Sequence, residues 1–310
     1  MPKTLITGAN GFVGQALCRH LEAISRPITR AVRCAHLPNE TEIGNIGAST
    51  HWHAALAGCD AIVHLAARVH VMHDTATDPL LAFREVNTQG TLHLARQAAA
   101  QRVRRFVFIS SVKVNGESGL FSDGDAPSPQ DAYALSKWEA EQGLLEIGRE
   151  TGMEVVILRP PLVYGPRVGA NFLRLMRAVD RGIPLPFGAV DNQRSLIYVG
   201  NFVDAMTICL DHPAAAGKTY LVSDGECVST PVLIRQMAKA LSRSPRLLPI
   251  PPRLMRFAGH LLGKAAEIDR LLGSLAVDPR AIGHDLGWTP PFSLEEGLAA
   301  TANWYRQQAQ

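Results

Sequence analysis

Residues 4–14, Thr-Leu-Ile-Thr-Gly-Ala-Asn-Gly-Phe-Val-Gly, constrain the fold more than any other stretch of the chain. Thr4 to Thr7 reads as a short buried strand. Gly8, Gly11 and Gly14 follow at GxxGxxG spacing, and Phe12, Val13, Ala16, Leu17 and Leu21 then recur at helical period. A strand running through a glycine turn into a helix brings free backbone N–H groups and the positive end of the helix dipole to one point. Glycine there lets a phosphate approach the backbone closely. The common dinucleotide fingerprint is GxGxxG, whereas here the first gap is two residues wide. An ordinary strand–helix turn also uses glycine, so the rest of the chain decides between the readings.

Composition narrows the field. The 310 residues are 46% apolar, enough for one large domain or two smaller ones. A net charge of +3 argues against an extended nucleic-acid surface and leaves room for a small anionic substrate. Cys18, Cys34, Cys59, Cys209 and Cys227 are scattered, odd in number and without CxxC spacing. They read as free thiols in a reducing compartment, the cytoplasm, with no zinc site and no other metal. The chain enters a strand within three residues, leaving no room for a signal peptide, and it has no apolar run of spanning length.

Strand and helix alternate from there on, which predicts a doubly wound parallel α/β sheet. Pro27–Arg33 reads as strand two. It ends in Arg33 with no acid before Glu40, where an acid would bind adenosine ribose hydroxyls and a cation would accept a 2′-phosphate. The reading leans to NADP(H), with NAD(H) as the alternative; a solvated strand-end arginine is the plainer account. Glu42–Ile46 is a candidate third strand, placing Asn45 and Ile46 near an adenine, with a weak helix through Leu56 after it. Ala61–Ala67 is a buried strand ending in the small residues Ala66 and Ala67. His64 within it reads as a satisfied core histidine. A helix over 79–101, interrupted at Asn87 and Gly90, precedes the strand Phe106–Ser111. Arg102, Arg104 and Arg105 suit the end of that helix better than a phosphate patch. Asn115–Asp131 reads as loop, Tyr133–Ile147 as helix and Val155–Leu158 as strand.

From Gly165 the texture changes, with proline clusters at Pro184-Leu-Pro186 and Pro249-Ile-Pro-Pro252. Helices are expected near 171–181, 201–211, 231–242, 254–272 and 294–307. The apolar 254–272 segment carries Arg256, Lys264 and Arg270, which argues for core packing over membrane contact.

Ser111 ends a strand at the sheet's carboxyl edge, and Tyr133 and Lys137 share one helix face. A nearby ammonium and a cationic nicotinamide would lower the tyrosine pKa from its ordinary value of about 10. Such a tyrosine can exchange a proton with a carbohydrate oxygen while hydride moves at the same carbon, with Ser111 orienting that oxygen.

These motifs together resemble the extended short-chain dehydrogenase/reductases, within their nucleotide-sugar epimerase/dehydratase group. The resemblance rests on Thr7–Gly14, His64-Leu-Ala-Ala67, Val86-Asn-Thr-Gln-Gly-Thr91, Ser110–Gly116, Tyr133-Ala-Leu-Ser-Lys137 and Leu158–Pro166. It implies a Rossmann-type domain over 1–165, rejoined by 195–225, and a smaller substrate lobe from 166–194 and 226–310. It implies catalytic roles for Ser111, Tyr133 and Lys137. The cofactor contacts become Gly8, Asn10, Gly11, Phe12, Val13, Gly14, Arg33, Asn45, Ile46, Leu65, Ala66, Ala67, Asn87, Ile109 and Pro160, with Tyr133 and Lys137. For a UDP-sugar it implies Asn171 and Arg194, with Arg270 as a second phosphate arginine and Lys113 beside the sugar. Helix capping for Asn171 and a surface charge for Arg194 are the plainer accounts. A homodimer is also implied.

Departures from the group's patterns refine the expected reaction. Val112-Lys113 stands where 4,6-dehydratases carry Asp-Glu, so the acid and base for water elimination are missing. Asn115 and Leu162 replace residues usual in hexose epimerases. Ser110–Gly116 and Tyr133–Glu141 are similar to bacterial 4-reductases of UDP-2-acetamido-2,6-dideoxy-4-hexulose. The expected reaction is therefore NADPH-dependent reduction of a UDP-4-keto-6-deoxy-N-acetylhexosamine, for surface polysaccharide. The alternatives are an NAD-dependent UDP-sugar 4-epimerase and a non-enzymatic dinucleotide sensor.

Overall fold

The computed structural model describes residues 2–69, 78–261 and 263–308. Strand and helix alternate from the start: β1 (Lys3–Thr7), α1 (Phe12–Ala23), β2 (Ile28–Val32), β3 (Glu40–Glu42), α2 (His53–Leu56) and β4 (Cys59–His64). Next come α3 (Pro79–Phe83), a π-helical stretch Arg84–Gly90, α4 (Thr91–Ala100), β5 (Arg105–Ile109), β6 (Gly119–Phe121), α5 (Ala132–Thr151) and β7 (Glu154–Arg159). The remainder holds β8 (Leu162–Tyr164), α6 (Ala170–Asp180), β9 (Arg194–Tyr198), α7 (Val199–Asp211), β10 (Thr219–Leu221), β11 (Cys227–Val228), α8 (Thr230–Ala240), α9 (Pro252–Leu261) and α10 (Ala265–Leu272). It closes with β12 (Leu275–Val277), α11 (Arg280–Leu286) and α12 (Leu294–Gln308).

Seven parallel strands form the main sheet in the order β10-β7-β5-β4-β1-β2-β3. Successive side chains on these strands serve opposite faces. Ile6, Val63, Val107 and Val156 pack with Leu17 of α1 and Phe202 and Met206 of α7. Leu5, Ile62, Phe106 and Ile157 pack on the other side with Leu94 of α4 and Leu144 of α5. Covering both faces explains why these strands are apolar throughout. The sheet and its helices make the Rossmann-type α/β fold read from the sequence.

A second, five-stranded sheet runs β11-β9-β12-β6, with β8 on β9. Beside it Phe172 and Met176 of α6, Ile234 and Met237 of α8 and Leu298 and Ala302 of α12 form a separate core. Segment 195–225 divides between the layers: β9 lies in the second sheet, while α7 and β10 belong to the first.

Several elements differ from the sequence reading. The third strand is Glu40–Glu42, ahead of the expected span, because Gly44 at φ +68° turns the chain just after it. β4 stops at His64, and Leu65–Ala67 leave the sheet as its exit loop. The helix around Asn87 and Gly90 is not interrupted; it widens into the π-helical turn Arg84–Gly90. The loop before α5 contains β6, and α11 had no expected counterpart. The 254–272 segment is two helices around residue 262, which lies outside the described residues.

Gly14 shows why the first turn demands glycine. A Cβ there would lie 2.1 Å from the Gly8 carbonyl oxygen, a backbone atom that cannot step aside. Gly14→Ala is therefore expected to lower unfolding free energy by about 1–3 kcal/mol and to weaken dinucleotide binding. Gly124→Ala, which meets open space, is expected to be neutral. Denaturant melts of both variants check the contrast.

Candidate active site

The turn after β1 is built for close approach. Gly8 takes φ +65°, and its carbonyl accepts the Gly11 N–H at 2.9 Å. A Cβ on Gly8 would lie 2.9 Å from the Ala66 nitrogen, so the exit of β4 rests directly on this turn. Gly11 caps α1 in extended conformation with no side-chain cap, and the first turn of α1 holds no acid. An uncapped, acid-free helix start over a glycine cradle fits the pyrophosphate of a dinucleotide.

The carboxyl ends of the neighbouring strands are held by buried polar contacts. His64 is fully buried, with Nδ1 2.7 Å from Thr7 Oγ1 and Nε2 2.9 Å from Thr91 Oγ1. Burial and the charge of Lys137 pull its pKa down to about 3, so the ring is a neutral core group, as read from the sequence. Thr7 Oγ1 also accepts the Ala66 N–H at 3.1 Å. Asn87 accepts the Arg68 N–H at 2.8 Å and donates to the Arg68 carbonyl and to Ser136 Oγ, both at 3.0 Å. Its amide is thus committed to the loop after β4 and to the catalytic helix. Ile46 packs against Gly90, where a Cβ would meet its Cγ2 at 2.5 Å. The Asn45 carbonyl accepts the Thr50 hydroxyl.

Arg33 is exposed at the end of β2, with its guanidinium in no ion pair among the described residues. The two nearest following acids are spent on backbone. Glu40 accepts the N–H groups of His36 and Leu37 at 2.8 and 3.1 Å, which hold its carboxyl below the usual range. Glu42 accepts the Ala35 N–H at 3.1 Å.

Ser111 follows β5 in extended conformation, and its Oγ accepts the Lys113 N–H. Asp131 caps α5 by accepting the Ala134 N–H at 2.7 Å, and Gly152 ends that helix in the left-handed region. The buried face of α5 holds Lys137 and Glu141 among Ala134, Ala140, Leu144 and Ile147. Charged groups on a core face mark a site where local rules yield to another demand. Lys137 is 2% exposed; its Nζ donates to the Ile109 carbonyl at 2.8 Å and lies 4.5 Å from the Phe108 ring centroid. Burial lowers its pKa to about 7, against the pull of Glu141.

Tyr133 shares a side-chain hydrogen bond with Ser111, and its ring meets Phe83 edge-on at 6.0 Å. The protein's own groups raise its pKa instead of lowering it. Removal from water, with the charge of Asp131 added, pushes it up to about 12, and the Ser111 bond only partly opposes this. Burial and Asp131 thus keep Tyr133 a protonated phenol, while Lys137 donates to the Ile109 carbonyl.

Lys113 Nζ pairs with Asp131 at 2.6 Å and Glu117 at 3.2 Å, and Arg270 Nε pairs with the other Glu117 oxygen at 3.1 Å. This chain of charges links α10 to the start of the catalytic helix. Arg194 donates to the carbonyls of Arg270 and Leu271, and burial lowers its pKa. Asn171 is exposed near the start of α6, whose cap is Gly169, so the capping account fails; Phe172 beside it is buried. Asn115 accepts from Arg159 at 3.0 Å, and Arg159 pairs with Glu141, tying the end of β7 to α5. Leu162 is 51% exposed. Asp131 and Glu117 were missed in the sequence. An Asp directly before an apolar helical run signals an N-cap and marks Asp131, whereas nothing local marks Glu117.

A parallel Rossmann-type sheet carrying a glycine cradle, with Ser, Tyr and Lys gathered at its carboxyl edge, defines an enzyme of the extended short-chain dehydrogenase/reductase class. A model of the NAD dependent epimerase/dehydratase family matches residues 4–223, and the chain belongs to that family. It is similar to a UDP-glucose 4-epimerase of Vibrio cholerae, 47% identical over 319 residues that cover 99% of this chain and 97% of the relative. An N-acetyl-alpha-D-glucosaminyl-diphospho-ditrans,octacis-undecaprenol 4-epimerase of Escherichia coli O157:H7 is 27% identical over 316 residues, covering 97% and 94%. The solved structure of MoeE5 with UDP-glucose and NAD matches with a TM-score of 0.79 at 26% identity, over 99% of this chain and 100% of that one. Both of these sequence relatives are 4-epimerases, and neither is a 4-reductase.

The Lys137 pKa has a consequence for stability. Folded Lys137 holds its proton only to about 7, against 10.5 unfolded. Between those values the unfolded chain binds more protons, so this residue's contribution to stability rises with pH across that window and its burial cost is complete below it. Lys137→Met is expected to raise unfolding free energy by about 1–4 kcal/mol near pH 6, with the gain shrinking toward pH 10. Urea melts across pH check the slope; a gain independent of pH would contradict it.

Proposed function

We propose that this chain is a UDP-sugar 4-epimerase that oxidises and re-reduces C4 of a UDP-hexose or UDP-N-acetylhexosamine. The observation that carries this reading is the 47% identity to a UDP-glucose 4-epimerase across nearly the whole of both chains. The intact Ser111, Tyr133 and Lys137 support it. A bound nicotinamide dinucleotide supplies the hydride acceptor and donor, and its ring charge favours the tyrosine phenolate. The glycine cradle from Gly8 to Gly14 would hold its pyrophosphate, with the ends of β4 and β5 toward its nicotinamide half.

Ser111 orients the C4 oxygen, and Tyr133 takes and returns the proton on that oxygen. Lys137, one turn along α5 from Tyr133, would supply positive charge in its protonated form. Arg194 is a partly buried cation bonded to carbonyls alone among the described residues, which suits a diphosphate better than solvent. Arg270 and Asn171 complete the nucleotide side, and Lys113 lies on the sugar side. On this reading 1–165 with 195–225 binds the dinucleotide, and 166–194 with 226–310 binds the sugar nucleotide. We place the protein in the cytoplasm, as a homodimer; its five cysteines are free, and no described helix is long and apolar enough to cross a membrane.

A second reading, NADPH-dependent reduction of a UDP-4-keto sugar, is favoured by two observations. Tyr133 is a phenol held protonated to about 12, the form a reduction needs, and Arg33 ends β2 with both nearby acids turned away. NMR of the purified protein with UDP-glucose and UDP-N-acetylglucosamine separates the two. The expected result is interconversion with the galacto isomer without net nicotinamide oxidation. Stoichiometric NADPH consumption on a UDP-4-keto-6-deoxy-N-acetylhexosamine, without interconversion, would establish the reductase instead. Under either reading Tyr133→Phe should cost about 100- to 10,000-fold in turnover and leave UDP-sugar affinity nearly unchanged.

A further inference from the structure

Helix α9 does not turn its apolar stripe to the core, as surface helices do. Leu254, Phe257, Ala258 and Leu261 recur at i, i+3, i+4 and i+7. The three large side chains of that stripe face outward: Leu254 is 59%, Phe257 63% and Leu261 72% exposed. Met255 and Gly259 make the buried edge, and a Cβ on Gly259 would lie 2.9 Å from Ile268 of α10. Arg256 pairs with Asp269 of α10 at 3.0 Å, so the outward face is held in a fixed direction. The third sector of the helix is Arg253, Arg256 and His260; α9 contains no acid, and Lys264 follows it.

An exposed stripe of Leu and Phe flanked by the basic residues Arg253 and Lys264 is the pattern of a helix that lies in a membrane interface. Ten residues of helix reach only about 15 Å, too short to span. A second copy packed on this face by two-fold symmetry would bring like basic residues together. An anionic lipid surface takes both sectors, the stripe at the acyl boundary and the cations among the phosphates.

We propose that α9 docks the protein on an anionic phospholipid bilayer, with Leu254, Phe257 and Leu261 inserted at the interface and Arg253 and Lys264 among the headgroups. α10 follows directly, and its Arg270 is paired to Glu117, which also holds Lys113. Docking therefore sets the sugar-nucleotide side of the molecule against the membrane surface. The inference does not depend on which sugar is the substrate.

Flotation of the full chain with vesicles tests it, using phosphatidylcholine alone and phosphatidylcholine with about one third phosphatidylglycerol. The chain is expected to float with the anionic vesicles, to stay behind with the neutral ones, and to be released by salt. The triple variant Leu254→Ser, Phe257→Ser, Leu261→Ser should bind about tenfold or more weakly, as should Arg253→Glu with Lys264→Glu. All five side chains are exposed, so an unchanged Tm and unchanged turnover confirm that the variants fold. Failure to float with either vesicle, equal flotation with both, or full binding by the triple variant would overturn the proposal. A triple variant that changes the hydrodynamic mass, while the parent chain does not float, would assign the stripe to self-association and overturn it too.

Discussion

The site depends on one buried ammonium. Lys137 leaves water almost completely, at a cost of several kcal/mol for an uncompensated charge. The Ile109 carbonyl offsets part of this, by about 1.5–3 kcal/mol for a bond to a charged group, and the Phe108 face adds about 2 kcal/mol when desolvated. Both partners lie on β5, so the contact that makes the burial tolerable also fixes α5 against the strand that delivers Ser111. Tyr133, one helical turn before Lys137, is thereby set against that serine. A second tie works on the same helix face: Glu141, one turn after Lys137, pairs with Arg159 at the end of β7. Three adjacent features of the sheet edge are thus registered through a single helix.

Around this fixed centre runs a chain of partly buried charges. Arg270 of α10 holds Glu117, Glu117 holds Lys113, and Lys113 holds Asp131, which caps the helix carrying Tyr133. The carboxylate of Asp131 is also one of the charges that raise the Tyr133 pKa. A bound sugar nucleotide competing for Arg270 or Lys113 would therefore alter the field at the tyrosine. These partly buried pairs couple the second sheet's helices to the helix that carries Tyr133.

The sequence made the main sheet legible because its strands are continuous apolar runs and its helices have clear period. Gly8, Gly11 and Gly14 sit where close backbone approach demands them. Ser111, Tyr133 and Lys137 converge as their spacing requires, and His64 is the core group its apolar run suggested. What escaped depended on contacts far apart in sequence. Glu117 and Arg270 are 153 residues apart. The Tyr133 pKa goes up because spacing reveals the nearby lysine but neither the burial of the phenol nor the Asp131 carboxylate beside it. The exposed stripe of α9 reads as core in the sequence because period alone gives a helix's apolar side and not what that side faces. Asn87, a cofactor contact on the sequence reading, bonds Arg68 and Ser136; the sequence shows that a polar group is present and leaves these partners unseen.

The central claim is that hydride leaves C4 of a UDP-sugar and returns to the same carbon while Tyr133 carries the proton. UDP-glucose deuterated at C4 tests it most directly, with mass and NMR analysis of the sugar after interconversion. The account expects deuterium to be retained at C4 of the galacto product, and no product from Tyr133→Phe on the same timescale. Replacement of that deuterium by solvent hydrogen would contradict it.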